Sequence, residues 1–525
     1  MSKTNKEKSH RITGLQLFII IVLVLGVFFR FVNLDQKVYW HDEAYTSLRI
    51  SGYTTTEVVQ QIFNGQVIGI SDLQQYQRPN PEKGLVDAIK ALAIDNAQHP
   101  PLYYILLRFW VQLFGNSVAV TRSLSALISL LVFPCVYWLC LELFESPLVG
   151  AIAIALIAVS PFHVLYAQEA REYSLWTVTI LLSSAALLRA LRVNRLSTWG
   201  IYTVALTLSF YTFPFSIFVG MGQGIYVILR EGFRFNRTVR AYLVTSLIAL
   251  LSFLPWLIIA IATWPEKGSN WTAVPIPLLI WLKMWGMHIN RAFIITIGNF
   301  GFDHLLTYLT LPVFLMLIGY SIYFICDRTP KKVWFFVLTL MGTLALVLAL
   351  PDLILGGQRS TSSRYLVPFY LGIQLSVAYL LATSFSKGKF WQVVMVGLIS
   401  AGVISCAITS QAETSWNKVI SYYNHQIAGV VNETTAPLLI GNSFGMNFGN
   451  ILALSYLLEP KVSFQLVNGS TQPDFLHIPK IPQGFSDVFV LNPSEQFREK
   501  MEQEYKGQLE LAYNDNYFWL WKLRR

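Results

Sequence analysis

Apolar residues in this chain fall into long runs that do not alternate with polar ones. A bilayer span takes about 20 mostly apolar residues. Runs of that kind lie at about 14–32, 118–140, 148–166, 173–191, 198–214, 216–230, 241–263, 304–326, 332–350, 364–384 and 390–409. The pattern predicts an all-α polytopic membrane protein with about eleven transmembrane helices. The runs are rich in Leu, Ile and Val and lack the strict alternation of an outer-membrane barrel. The first run follows a basic stretch (Lys3, Lys6, Lys8, Arg11) and ends without a small-x-small cleavage site. It is also too long for a signal-peptide core. It reads as an uncleaved first span with its N-terminus in the cytoplasm.

Three polar stretches interrupt the runs, at 33–117, 264–303 and 410–525. In the first, Thr54-Thr55-Thr56-Glu57 fits a capping box. Val58, Val59, Ile62 and Phe63 then form one apolar helix face. Pro101 to Phe114 is apolar but short and carries Arg108, as suits a helix lying at the membrane interface. The tail from 410 changes character. It mixes helical stretches (about 416–431 and 446–458) with short strands at Pro437–Ile440, Val462–Val467, Val488–Leu491 and Phe518–Trp521. The expected organisation is a transmembrane catalytic domain over 1–409 and a small extracytoplasmic α/β domain over 410–525.

Composition narrows the class. Of 525 residues, 54% are hydrophobic and 13% charged, against about 25% charged in soluble chains. Mean hydropathy is +0.48. A soluble enzyme, a disordered chain and a fibrous repeat are excluded. The net charge of +10 is first a topology signal. Arg192 and Arg195, then Arg230, Arg234, Arg237 and Arg240, then Arg328, Lys331 and Lys332, then Lys387 and Lys389 fall in loops assigned to the cytoplasm. The loop with Glu142 and Glu145 is acidic and neutral to the rule. The expected location is the plasma (inner) membrane, with an external C-terminal domain. The four cysteines (Cys135, Cys140, Cys326, Cys406) lie in apolar runs, so no structural disulfide is expected. The partner these features imply is the lipid bilayer, and no nucleic acid.

The polar chemistry gathers on the outer face. No charged side chain sits near the middle of a span, which argues against an ion-coupled carrier. His41, Asp42 and Glu43 follow the first span directly. A carboxylate there could act as a general base over a membrane-bound substrate. It could equally stabilise the N-terminus of a following helix. Gln98 and His99 precede Pro100-Pro101, which fix the backbone at a helix start. His99 could donate to a phosphate oxygen or belong to an ordinary turn. Glu169, Arg171, Glu172 and Tyr173 form a short charged turn between the third and fourth spans. Arg359, Arg364 and Tyr365 open the tenth. Arg171, Arg359 and Arg364 lie on the side the charge rule disfavours. An anionic ligand would compensate them, as would Glu169 and Glu172 or lipid headgroups. Together these groups suit a reaction in which a lipid phosphate departs. A polytopic transporter or flippase and a non-catalytic envelope assembly factor are the competing classes.

The acidic pair after the first span, the His99-Pro100-Pro101 turn, the Glu169-Ala170-Arg171 turn ending at Tyr173, and Arg364-Tyr365 together resemble the GT-C membrane glycosyltransferases. The branch they resemble is that of protein O-mannosyltransferases and aminoarabinose transferases, over about 14–384. The resemblance implies a polyprenyl-phosphate-linked monosaccharide as donor, an acceptor hydroxyl of unknown identity, inverting transfer and an extracytoplasmic site. It maps the base onto Asp42 and the phosphate-facing residue onto His99; in that mechanism Glu43 orients Asp42 or the acceptor. Arg171 and Arg364 match positions near the phosphate or the central cavity. Some relatives carry Glu where this chain has Gln98, which weakens a metal site there. No organic cofactor is implied, and a divalent metal is left open.

Overall fold

The computed structural model describes residues 14–267, 270–295, 304–469 and 478–524. The basic stretch with Lys3, Lys6, Lys8 and Arg11 lies outside them. Among the described residues, eight helices are long and apolar enough to cross a membrane, or nine when one bent pair is taken as a span. The eight include Gly14–Phe31, Val118–Phe144, Tyr173–Val193, Ser363–Lys387 and Lys389–Ser410. The two other expected spans are also helices, Leu196–Thr212 and Ser216–Arg230, with 17 and 15 residues. At 1.5 Å per residue these fall short of a hydrocarbon core of about 30 Å.

The bent pair aims the turn that follows it. Pro147–Ala158 and Pro161–Ala167 meet at 63°. Pro161 removes a donor and keeps Ser160 out of the helical region, and Ser160 is extended at φ −71, ψ 118. The carbonyls freed at the break need partners inside the membrane. Arg30, in the last turn of the first span, supplies them. It donates to the Ala158 oxygen at 2.6 Å and the Ile157 oxygen at 3.2 Å. Gly26 allows the approach, because a Cβ there would lie 2.6 Å from the Ala158 oxygen.

Among the described residues, one six-stranded sheet lies outside the membrane domain. Its strands are β1 (Asn64–Gly69), β2 (Pro437–Asn442), β3 (Ser463–Val467), β4 (Asp487–Leu491), β5 (Gln508–Asn514) and β6 (Trp519–Arg524), in the order β1-β3-β2-β4-β6-β5. β2 runs parallel to β3 and β4, and the other pairs are antiparallel. The tail therefore takes its edge strand from the first external segment. Side chains alternate across the sheet. Leu439, Phe464, Leu466, Phe489 and Leu520 share a core with Tyr39, Ala44 and Leu48 of the first segment. Leu438, Ile440, Val488 and Val490 pack on Phe497 and Met501 of the helix Glu495–Tyr505. The Thr54 capping box is formed, with Glu57 N to Thr54 Oγ1 at 3.1 Å and Thr54 N to Glu57 Oε2 at 2.7 Å.

Candidate active site

The helix His41–Ser51 starts where the chain leaves the first span, and its first turn carries Asp42 and Glu43. Neighbours in sequence, they face different surroundings. Glu43 is fully buried. It caps its own helix by accepting from Trp40 N at 3.3 Å. Arg122 grips it as a fork, Nε at 2.8 Å and Nη2 at 2.7 Å. Ala170 N at 2.9 Å and Lys418 Nζ at 3.2 Å complete the set. Burial alone would raise this carboxyl, but Arg122 and Lys418 hold it down at about 2. Every approach to Glu43 is taken, so it anchors the helix and presents nothing to a substrate.

Asp42 keeps a fifth of its side chain exposed, at 20%. Its Oδ1 lies 3.1 Å from His41 Nε2 and its Oδ2 3.2 Å from Arg364 Nη1. Burial pushes its pKa up, but His41, Arg171 and Arg364 outweigh that and hold it well below the usual carboxylate range.

A second group adjoins the first. The His99 ring lies 2.7 Å from Glu172 Oε1 through Nδ1. Arg171 is buried and reaches Glu172 at 3.3 Å, Thr46 Oγ1 at 3.1 Å, Tyr104 Oη at 3.3 Å and the Asp42 carbonyl at 3.3 Å. Glu172 is held at about 2, burial being overcome by Arg171 and His99. Tyr173 is buried with the Arg171 guanidinium 5.8 Å from its ring centre, and Arg364 lies 5.4 Å from the Tyr365 ring centre. Glu169 turns the other way. It accepts from Asn417 and, at 2.8 Å, from Lys418. Burial drives its pKa up, and the Glu43 charge opposes Lys418 in the same direction.

Not every expected residue joins. Arg359 donates to Asp352 at 3.1 Å and to the Gly356 carbonyl at 3.0 Å, with no described contact to the Asp42 group. Gln98 is exposed. Among the described residues, no three His, Cys, Asp or Glu side chains gather where a metal could sit. Both Asp42 oxygens face His41 and Arg364, and Gln98 is neutral.

Three residues escaped the sequence reading. Lys418, just outside the last span, bridges Glu43 and Glu169. It is the only Lys or Arg between 410 and 460, and that isolation was its one signal. Next to it, Val419 is held at φ 44, ψ −111, a conformation that costs a branched residue about 1–3 kcal/mol. Arg122 lies in the helix Val118–Leu130 with no motif around it. Arg291, at the end of the helix Leu278–Arg291, is buried. It donates to Ser363 Oγ at 3.0 Å and stacks on Trp416 at 3.6 Å, yet its Nε and Nη2 have no partner. Burial lowers it to about 10.

Residues 98–259 match the family model for dolichyl-phosphate-mannose-protein mannosyltransferase. That segment contains His99, the bent pair and the 168–173 turn. The match covers less than a third of the chain, and the likeness in fold spans nearly its whole length. Nearly the whole chain superposes on ArnT from Cupriavidus metallidurans bound to undecaprenyl phosphate, with a TM-score of 0.54, 10% identity and 98% of each chain covered. ArnT from the same organism in the apo state gives a TM-score of 0.42 at 12% identity, over 97% of this chain and 98% of its own. No curated protein sequence matches the chain.

Proposed function

We propose that this protein transfers a monosaccharide from a polyprenyl-phosphate donor to an acceptor hydroxyl on the external face of the inner membrane, with inversion at the anomeric carbon. One observation carries the reading. Of the two adjacent carboxylates, Glu43 is sealed by Arg122, Lys418 and a backbone amide, while Asp42 is ionised, partly exposed and flanked by His41 and Arg364.

In this reaction the acceptor oxygen forms a bond to the anomeric carbon as the bond from that carbon to the phosphate oxygen breaks. The electron pair leaves with the phosphate, and the acceptor proton passes to Asp42. A carboxylate held so low is a weak base, so it takes the proton late, once bond formation has made the hydroxyl acidic. The departing phosphate gathers charge that fixed cations stabilise. Arg364, His99 and the two free nitrogens of Arg291 are the donors for it. Phosphate binding to Arg364 would release Asp42 Oδ2 for the acceptor. Glu43 contributes by holding the helix that carries Asp42.

The test is to offer purified protein several polyprenyl-phosphate sugars and to identify which is consumed. Ala at Arg364 or Arg291 should weaken donor binding by about 2–5 kcal/mol, as for a charge removed beside a desolvated partner. Ala at Arg359 should leave it nearly unchanged. Equal donor affinity in all three variants would place the phosphate elsewhere.

A further inference from the structure

The tail domain touches the candidate base through a chain of buried polar groups. His41, whose Nε2 holds Asp42, donates its backbone N–H to Ser421 Oγ at 3.1 Å. Ser421 Oγ in turn donates to Asn450 Oδ1 at 3.0 Å, and Asn424 Nδ2 donates to the same oxygen at 2.9 Å. Ser421, Asn424 and Asn450 are all fully buried. Gly449 lies against His41 and Tyr45 with no room for a side chain, so Asn450 sits beside the first turn of the Asp42 helix.

Within this network three polar atoms have no partner: His41 Nδ1, Asn424 Oδ1 and Asn450 Nδ2. Buried polar groups are nearly always hydrogen-bonded, and two amides placed together present at least one donor and one acceptor. An amide pair with one free donor and one free acceptor complements the hydroxyl groups of a sugar ring, each of which both gives and takes a hydrogen bond. Such a pair would also reject a ring that lacks the matching hydroxyl, because the amides would then stay unpaired. The strained backbone at Val419 lies between Lys418 and Ser421, where the chain must reach the ion pairs and the His41 amide together.

We infer that Asn424 and Asn450, with Ser421 and His41, form a hydroxyl-recognition subsite that the tail domain contributes to the active site. It rests on the glycosyltransferase reading and reads sugar hydroxyls, whether those of the transferred residue or those of the acceptor.

The experiment uses full-length protein carrying Asp42→Asn, so that donor binding is read without turnover. The probes are polyprenyl-phosphate mannose, its ring-deoxy analogues and bare polyprenyl phosphate. Asn450→Asp keeps the oxygen that Ser421 and Asn424 use and replaces only the free donor; Asn450→Ala is the second variant. Should neither fold, Asn424→Ser removes the free acceptor instead. If the transferred sugar is read, affinity for the mannose donor falls about 10- to 100-fold. Affinity for bare polyprenyl phosphate holds, and one deoxy analogue binds wild-type-like and variant sites equally. If the acceptor is read, donor affinity is unchanged and the variants in the Asp42 background raise the acceptor KM by a similar factor with kcat kept. Unchanged values in both arms, or equal losses for bare polyprenyl phosphate, would overturn the subsite and assign the amides to ordered water. Failure to bind even bare polyprenyl phosphate would overturn the glycosyltransferase reading itself, and the subsite with it.

Discussion

Removing the Lys418 ammonium would leave two buried carboxylates, Glu43 and Glu169, without the cation that joins them. Taking one partner from a buried ion pair costs about 3–5 kcal/mol. Lys418→Met should therefore lower stability by that order in detergent unfolding, while an exposed charge change such as Arg234→Gln should not. The pH dependence follows from the same burial. Glu172 is held at about 2 in the fold, against about 4.3 when unfolded. Its contribution is full above the unfolded value and is lost as pH falls from about 4 towards about 2. Lys37 has the opposite effect. Burial, with Arg122 and Lys418 nearby, lowers it from 10.5 to about 7. Between those values the unfolded chain binds the extra proton, so stability rises with pH across that window. Lys37→Met should flatten that rise in unfolding measured at pH 7 to 10. The sequence singled out Asp42, His99, Arg171 and Arg364, which the fold brings together, because charge at the ends of apolar runs is conspicuous. It could not separate Asp42 from Glu43, since the difference lies in Arg122, Lys418 and Ala170, which are 79, 375 and 127 residues away.

Elements bring those distant groups together through close approaches that leave little trace in hydropathy. The helix Asn447–Leu454 lies on the helix His41–Ser51 through Gly449, where a Cβ would fall 2.5 Å from Tyr45 Cε2 and 3.3 Å from His41 Cβ. Gly449→Ala should destabilise by about 1–3 kcal/mol through overpacking and should depress transfer by displacing His41. A stability loss measured by thermal unfolding, with transfer unaffected, would mean that this packing does not position the site. Strands β2, β3, β4 and β6 were legible as short apolar runs bounded by turns. β1 was not, because Asn64-Gly65-Gln66-Val67-Ile68-Gly69 holds two glycines and is largely uncovered. Only its pairing with β3 makes it a strand. β5 has an alternating start, with Leu509 buried and Glu510 exposed, but its charge and its place at the sheet edge muted the signal. The 63° break was read as one span because hydropathy averages over Ser160-Pro161.

At the scale of the whole molecule, the outer face is built by three parts of the chain. The first external segment supplies Asp42, the proposed base, and the edge strand. The membrane helices supply Arg122 and Arg364. The tail supplies Lys418 and the Asn424–Asn450 pair. We propose, from the basic loops, that the N-terminus is in the cytoplasm and this assembly outside. A cysteine placed at Asn468, which is exposed, should react with an impermeant reagent in intact spheroplasts. Arg237→Cys should react only after lysis, and the reverse pattern would invert the topology. The most direct test is the transfer rate of Asp42→Asn beside Glu43→Gln, with donor binding measured on both. General-base catalysis contributes about 10²–10⁴-fold. Asp42→Asn should lose that much transfer while binding donor and remaining folded, and Glu43→Gln should chiefly lose stability. Near-normal transfer by Asp42→Asn, with a folded but inactive Glu43→Gln, would contradict the assignment of Asp42 as the base.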